Sequence, residues 1–292
     1  MRPIAEPLAA PNALPHAVSR LRAERLKRSS KPFLARGGPH GERCAGCRLV
    51  PSHCMCALRP MVSTHAGVCL IMADIEPLKP SNTGWLIADV VADTAAFGWA
   101  RTVVDPNLMA MLADPQWQPY LVFPGEFVAP ERVVTTLIAC NRATQPAAGP
   151  PQGGLAPSGG SDPRSGGAWG QSAKRPLFVL LDATWPEARK MFRKSPYLNH
   201  LPVLSLESEH ISRYRLRRSR RDDHFCTSEV AALCLDLAGE TLASQTLEAY
   251  LDVFTHHYLR AKNQLPVDGG DAAHMRLQAL RLPGGATISP SL

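Results

Sequence analysis

Apolar runs of four or five residues alternate along this chain with longer stretches in which apolar side chains recur every three or four positions. The first pattern predicts strands at Val68–Met72, Arg101–Val104, Tyr120–Phe123, Leu177–Leu181 and Val203–Leu206, while Arg132–Ala139 is too short to assign. The second predicts helices over Asn82–Ala92, Trp185–Lys194, Thr227–Leu237 and Ser244–Lys262. Gly239 is placed to end the third of these. A shorter helix fits Val18–Lys27. Strands alternating with helices specify an α/β fold with a largely parallel sheet, and such sheets bind ligands in crevices at the carboxyl ends of their strands.

The chain's 292 residues suffice for a substantial core, in one large domain or two small ones. No apolar run approaches the roughly 18 residues of a membrane span. The N-terminus lacks an apolar signal core. The expected location is therefore the cytoplasm, with no membrane partner. From about Thr144 to Ser172 the sequence is dominated by Pro, Gly and Ser. That composition cannot bury enough apolar surface to offset its ordering entropy, so a disordered insertion of about residues 143–175 is expected.

Charge adds a partner class. The formal charge is +7, and its placement is uneven. Residues 1–31 carry a net +5 and residues 185–221 a net +7, which leaves −5 for the remainder. Within the second block, Arg213–Arg221 holds six arginines in nine residues, with Tyr214 among them. A solvated face is the ordinary meaning of such a run. Arginines this dense also displace the counterions that surround nucleic acid, and the density favours that reading.

The cysteines add a metal. Cys44, Cys47, Cys54 and Cys56 follow the pattern C-x2-C-x6-C-x-C. Four thiolates on two close pairs meet the tetrahedral demand of a structural zinc site, with no open position for catalysis. His53 is a possible substitute ligand that the second pair makes unnecessary. In a reducing compartment this spacing favours metal over disulfides.

Candidate chemistry gathers where strands end. Asp182 directly follows the apolar run Leu177–Leu181. Thr184 and Glu187 have the spacing of a capping box, and Pro186 sits in the first turn, where its missing N–H is harmless. Asp182 is thus expected at the mouth of the sheet, where an acid serves equally well as a loop cap or as a reactive group. Trp185 is either core or a stacking platform. Polar residues also follow Val68–Met72 (Asp74, Glu76, Lys79, Ser81, Asn82, Thr83, Gly84) and Tyr120–Phe123 (Pro124–Glu126). Thr227 and Glu229 open a further helix. Several polar strand ends in one sheet suggest a shared pocket.

Taken in order, these segments resemble the DTW-domain proteins, named for Asp-x-Thr-Trp, here Asp182-Ala183-Thr184-Trp185. The resemblance runs from about Cys44 to Lys262. It takes in the cysteine cluster, Ser81–Gly84, Phe123–Glu126, Asp182–Met191, Leu201-Pro202, Ser212–Arg218 and Thr227–Glu229. Ala73-Asp74 departs from the His-Pro-like pair common in relatives.

The resemblance implies a SPOUT-like α/β fold, with a knotted C-terminal region that binds S-adenosylmethionine, preceded by a small four-cysteine zinc-binding segment. It implies a tRNA-uridine aminocarboxypropyltransferase, with tRNA as partner and S-adenosylmethionine as donor. Asp182, Thr184 and Trp185 would then be catalytic. Phe123, Pro124, Gly125, Glu126, Leu204, Thr227, Ser228 and Glu229 would contact the donor. Ser81, Asn82, Thr83, Arg189, Arg213, Tyr214, Arg215, Arg217 and Arg218 would contact RNA. The implied organisation is a disordered basic arm (1–40), the zinc-binding segment (41–62), the catalytic domain (63–265) and a flexible tail (266–292). A SPOUT-type RNA methyltransferase and a non-catalytic zinc-containing RNA-binding protein are the competing readings.

Overall fold

The computed structural model describes residues 15–30, 43–137, 174–206 and 225–281. The expected Gly/Pro/Ser-rich insertion lies almost wholly outside these, and Arg213, Tyr214, Arg215, Arg217 and Arg218 lie entirely outside them. Among the described residues six strands form one sheet: β1 (Gly67–Met72), β2 (Thr94–Gly98), β3 (Trp117–Val122), β4 (Val133–Val134), β5 (Arg175–Asp182) and β6 (Val203–Leu204). Their order is β2-β1-β5-β3-β6-β4, and every ladder is parallel. All six residues of β1 are buried. A central parallel strand is covered on both faces, which is why its sequence is continuously apolar rather than alternating.

Alternation instead decides which core each side chain enters. Val68, Leu70, Phe178 and Leu180 enter one core, with residues of α2 (Gly84–Val90), α5 (Thr227–Leu237) and α6 (Thr241–Lys262). Cys69, Ile71, Leu177 and Val179 enter the other, with α3 (Pro106–Ala113) and α4 (Trp185–Arg193). The chain leaving β1 therefore turns over one face through α2 towards β2. The chain leaving β5 turns over the opposite face through α4 towards β6. β1 and β5 are neighbours, so their carboxyl ends form a topological switch point, where a doubly wound sheet opens its crevice.

Helix ends follow local signals. Thr184 and Glu187 complete the expected capping box of α4. Gly239, with φ of 75°, ends α5 in the left-handed conformation that favours glycine. Asp105 caps α3 by accepting the Asn107 N–H at 2.8 Å, ahead of Pro106.

Three differences from the sequence reading stand out. Residues Arg101–Val104 form no strand; they lie in an exposed bend, with Val103 78% exposed. The second strand is instead Thr94-Ala-Ala-Phe-Gly98, a half-buried edge whose small residues give no apolar run. The short helix expected at Val18–Lys27 forms as α1 (Ala17–Lys27), but within an arm expected to be disordered it docks: it buries Val18, and its Arg22 donates to the carbonyls of Pro77 and Leu78 at 3.2 and 2.9 Å. The expected flexible tail contains α7 (Ala272–Arg281), which buries Leu277 in the core shared with α6. No described helix is long and apolar enough to cross a membrane.

Candidate functional site

The cysteine segment comes together before the sheet begins. The Sγ atoms of Cys44, Cys47, Cys54 and Cys56 all lie within 4.8 Å of one another. Three of the separations are 3.5, 3.7 and 3.6 Å. A tetrahedral zinc ion with bonds of about 2.3 Å sets its sulfurs about 3.8 Å apart, so the four residues fit that ion. A hydrogen bond from Cys56, then the backbone N–H groups of Met55 and Leu49, hold the Cys47 thiol down to about 5. Cys54 is pushed up to about 11 by burial, and Cys56 is pushed up by its hydrogen bond to Cys47. The metal-free cluster thus favours a thiolate at Cys47 rather than at Cys54 or Cys56, and a bound ion would have to displace their protons.

Arg48, directly after Cys47, carries this segment into the rest of the molecule. Its φ is 64° and its side chain is buried. One guanidinium nitrogen donates to the carbonyls of Lys79 and Asn82, at 2.9 and 3.1 Å. The guanidinium also lies 4.3 Å from the ring centroid of Trp85, whose indole N–H donates to Gly46 at 3.0 Å. The cysteine segment is thereby tied to the loop between β1 and α2.

That loop holds Asp182. As the last residue of β5, Asp182 shares a face with Phe178 and Leu180, under α2 and α5. It is 3% exposed, not displayed at the mouth of the sheet as the sequence suggested. The reason is period-two alternation, which turns it onto the face that two helix starts close over. One carboxylate oxygen accepts from the Asn82 amide at 2.7 Å, and the other from the Thr227 hydroxyl at 2.6 Å. Gly84 packs directly on it: a Cβ there would lie 2.5 Å from Asp182 Oδ2.

Burial pushes the Asp182 carboxyl above the usual carboxylate range, against the hydrogen bonds from Asn82 and Thr227, which favour the charged form. Glu76 is buried as well and moves in the same direction, first through desolvation and then through the charge of Asp182. Its carboxylate pairs with Lys79 and lies 3.4 Å from the Asn82 amide nitrogen.

Thr227 and Ser228 open α5. The Ser228 N–H donates to Thr83 Oγ1 at 3.4 Å, which brings the two polar segments together. The Ser228 hydroxyl is buried and has no hydrogen-bond partner among the described residues. Glu229 accepts the Cys226 N–H at 2.7 Å and closes the cap. Ser81 is half-buried in the same loop.

The other two expected catalytic residues lie elsewhere. The Thr184 hydroxyl is engaged by Glu187 in the capping box and is solvent-exposed. Trp185 packs into the second core. Its ring stacks on Phe123 at 5.5 Å and meets Phe127 edge-on at 5.6 Å, while Phe192 stacks on Phe123 at 4.3 Å. Asp182 and Trp185 therefore enter different cores, and the motif that joins them in sequence divides them across the sheet. Arg189 lies over the Phe127 ring at 4.8 Å, at the rim of this aromatic group.

At the next strand ends, the Phe123 N–H donates to the Leu204 carbonyl at 3.2 Å, and the Gly125 N–H donates to Ser205 Oγ at 3.0 Å. Phe123 and Leu204 are buried, whereas Pro124 and Glu126 are exposed. Strand order sets these segments beside Asp182, because β3 lies between β5 and β6. Sequence reasoning did not single out Arg48 or Ser205, and it gave Glu76 and Lys79 no role. Only the three-residue spacing of Glu76 and Lys79 hinted at their pairing.

Among protein-family models, the DTW domain matches residues 41–259. No solved structure matches the chain.

Proposed function

Because this chain belongs to the DTW-domain family, a family of tRNA-modifying enzymes, we propose that it is a tRNA-uridine aminocarboxypropyltransferase. In this reading the 3-amino-3-carboxypropyl group of S-adenosylmethionine passes to N3 of a tRNA uridine, and 5′-methylthioadenosine is released. The observation that carries the reading is a buried carboxylate, Asp182, held by two donors at the switch point of a parallel sheet.

The donor supplies a sulfonium that activates the first carbon of its methionine chain. The chain's own residues have to orient two partners and remove one proton. Uridine N3 is a poor nucleophile while protonated. Asp182 accepts the N3 proton as N3 bonds to that carbon, and the breaking carbon–sulfur bond leaves its electron pair on sulfur. Desolvation suits Asp182 to this task, because it raises the carboxylate's affinity for a proton. Asn82 and Thr227 fix the carboxylate's direction, and orientation supplies much of such a rate enhancement.

The residues suit the donor in kind. Phe123 and Leu204 offer apolar surface, Gly125 and Glu126 follow at the strand end, and Thr227, Ser228 and Glu229 lie at the start of α5. The buried Ser228 hydroxyl, which has no hydrogen-bond partner among the described residues, is suited to bond a polar atom of the donor. Ser81, Asn82 and Thr83 border the uridine. Thr184 and Trp185 act indirectly, by capping and bracing the helix that follows Asp182.

The uridine leaves its stack to reach a buried base. Arg189, the run Arg213–Arg218 and the basic N-terminal arm hold tRNA phosphates. The SPOUT-like knotted C-terminal region that the family resemblance implies belongs to the same proposal. Zinc in the cysteine cluster and a cytoplasmic location complete the proposal.

The test uses unmodified tRNA and S-adenosylmethionine labelled either in the methyl or in the carboxyl carbon. Carboxyl label in RNA is the expected result. Methyl label instead identifies a methyltransferase, and no label in RNA a binding protein.

A further inference from the structure

The loop between β1 and α2 carries more charge chemistry than one base requires. We propose that Glu76 is a positioning residue for Asp182, a second buried carboxylate that shares the Asn82 amide with it. The inference rests on the reading of Asp182 as the base, and concerns what sets that base's proton affinity.

Asn82 can face only one way. Its side-chain oxygen accepts the backbone N–H of Trp85 at 3.1 Å, so its amide nitrogen points towards the carboxylates. The two amide hydrogens are then directed at Asp182 Oδ2, 2.7 Å from the nitrogen, and at Glu76 Oε2, 3.4 Å from it. The backbone beneath is pinned by Arg48 through the carbonyls of Lys79 and Asn82. Neither acid can swing away into solvent, since Asp182 is 3% and Glu76 6% exposed.

Two carboxylates held this way resist ionising together, because each charge raises the cost of the other at low dielectric. Lys79 offsets part of that cost from one side only, as it contacts the far oxygen of Glu76 and is itself partly exposed. At Asp182 itself the Asn82 and Thr227 hydrogen bonds and the charges of Lys79 and Arg48 all work against burial, so what Glu76 adds is the cost of ionising the second member of the pair. A base is most effective when its proton affinity approaches the working pH. Glu76 touches neither the uridine nor the donor in this scheme and acts only through Asp182.

The experiment uses the full-length, metal-loaded protein with 13C-labelled aspartate carboxyls. Asp182→Asn assigns the resonance. Glu76→Gln keeps the shape and removes the charge, so the Asp182 titration midpoint should fall by about half a pH unit or more. The acidic limb of kcat/KM for transfer to tRNA should move the same way, with KM for tRNA unchanged. Glu76→Asp, which keeps the charge, should hold the midpoint near wild type. Lys79→Met, which removes the opposing cation, should raise it, and this keeps the test decisive if the Gln variant folds poorly.

A midpoint that stays fixed in both the Gln and Met variants overturns the inference, whatever Asp182 does. A midpoint that moves without the rate profile supports the coupling and overturns the assignment of Asp182 as base.

Discussion

The tightest contact in the site is also its sharpest test. Gly84 opens α2, and a Cβ built there lies 2.5 Å from Asp182 Oδ2, with Asp182 Cγ and Leu70 Cδ1 each at 3.3 Å. A non-bonded carbon and oxygen rest no closer than about 3.3 Å, so Gly84→Ala forces the oxygen back by about 0.8 Å. That retreat stretches the 2.7 Å bond from Asn82 or the 2.6 Å bond from Thr227 beyond hydrogen-bonding range. Overpacking of this kind costs about 1–3 kcal/mol, and replacing glycine by alanine in a helix returns less than about 1 kcal/mol.

A net loss of about 1–2 kcal/mol lowers Tm by roughly 2–8 °C in a protein of this size. Misplacing a catalytic group by nearly an ångström costs up to about 100-fold in rate. The expected result is a fall of about 10- to 100-fold in kcat for tRNA modification, with tRNA affinity unchanged. Thermal unfolding and single-turnover transfer measure the two effects. Asp182→Ala removes the obstructing carboxylate, so in that background Gly84→Ala should cost almost nothing in stability. The double-mutant cycle should return a coupling of about 1–3 kcal/mol. Additive effects would refute the contact and the positioning argument built on it.

Two further outcomes follow from the same geometry. The folded pKa of Asp182 lies above its ordinary value, so its stabilising contribution is complete below the usual carboxylate range and is lost as pH rises through the folded pKa. Asp182→Asn carries no such loss, and its Tm relative to wild type should rise as pH increases above the ordinary aspartate pKa of about 4; a flat or falling difference contradicts the burial argument. Stripping metal from the cysteine cluster should loosen residues 43–58 and, through Arg48 and Trp85, the loop 79–86. Hydrogen exchange there should speed by at least about tenfold, the effect of losing about 1.4 kcal/mol of local stability; unchanged exchange in the loop means the segment is not mechanically tied to the site.

The elements legible in the sequence are those whose signals are local. β1 and the core of β5 read as apolar runs, α5 matches its expected bounds, and the capping box of α4 needs only residues three apart. The cysteine cluster is likewise local, because a single short segment spans all its ligands and tetrahedral chemistry restricts the rest. Strand β2 escaped because a half-buried edge strand needs no apolar run. α7 escaped because its helical character depends on docking against α6 rather than on a strong pattern of its own.

The candidate site divides along the same line. Sequence alone put an acid at the end of a buried strand and a tryptophan at the start of a helix. It fixed neither which face each would enter nor what would meet them there. Alternation along β5 sends Asp182 to one side, and the crossover through α4 sends Trp185 to the other. The helices that cover each face are set by the winding of the whole sheet. Asn82, one hundred residues earlier, and Thr227, forty-five later, reach Asp182 because β1 and β5 are neighbours and α5 closes over the same face. Hydrogen bonds over such separations are specified by packing, and packing is a property of the assembled chain.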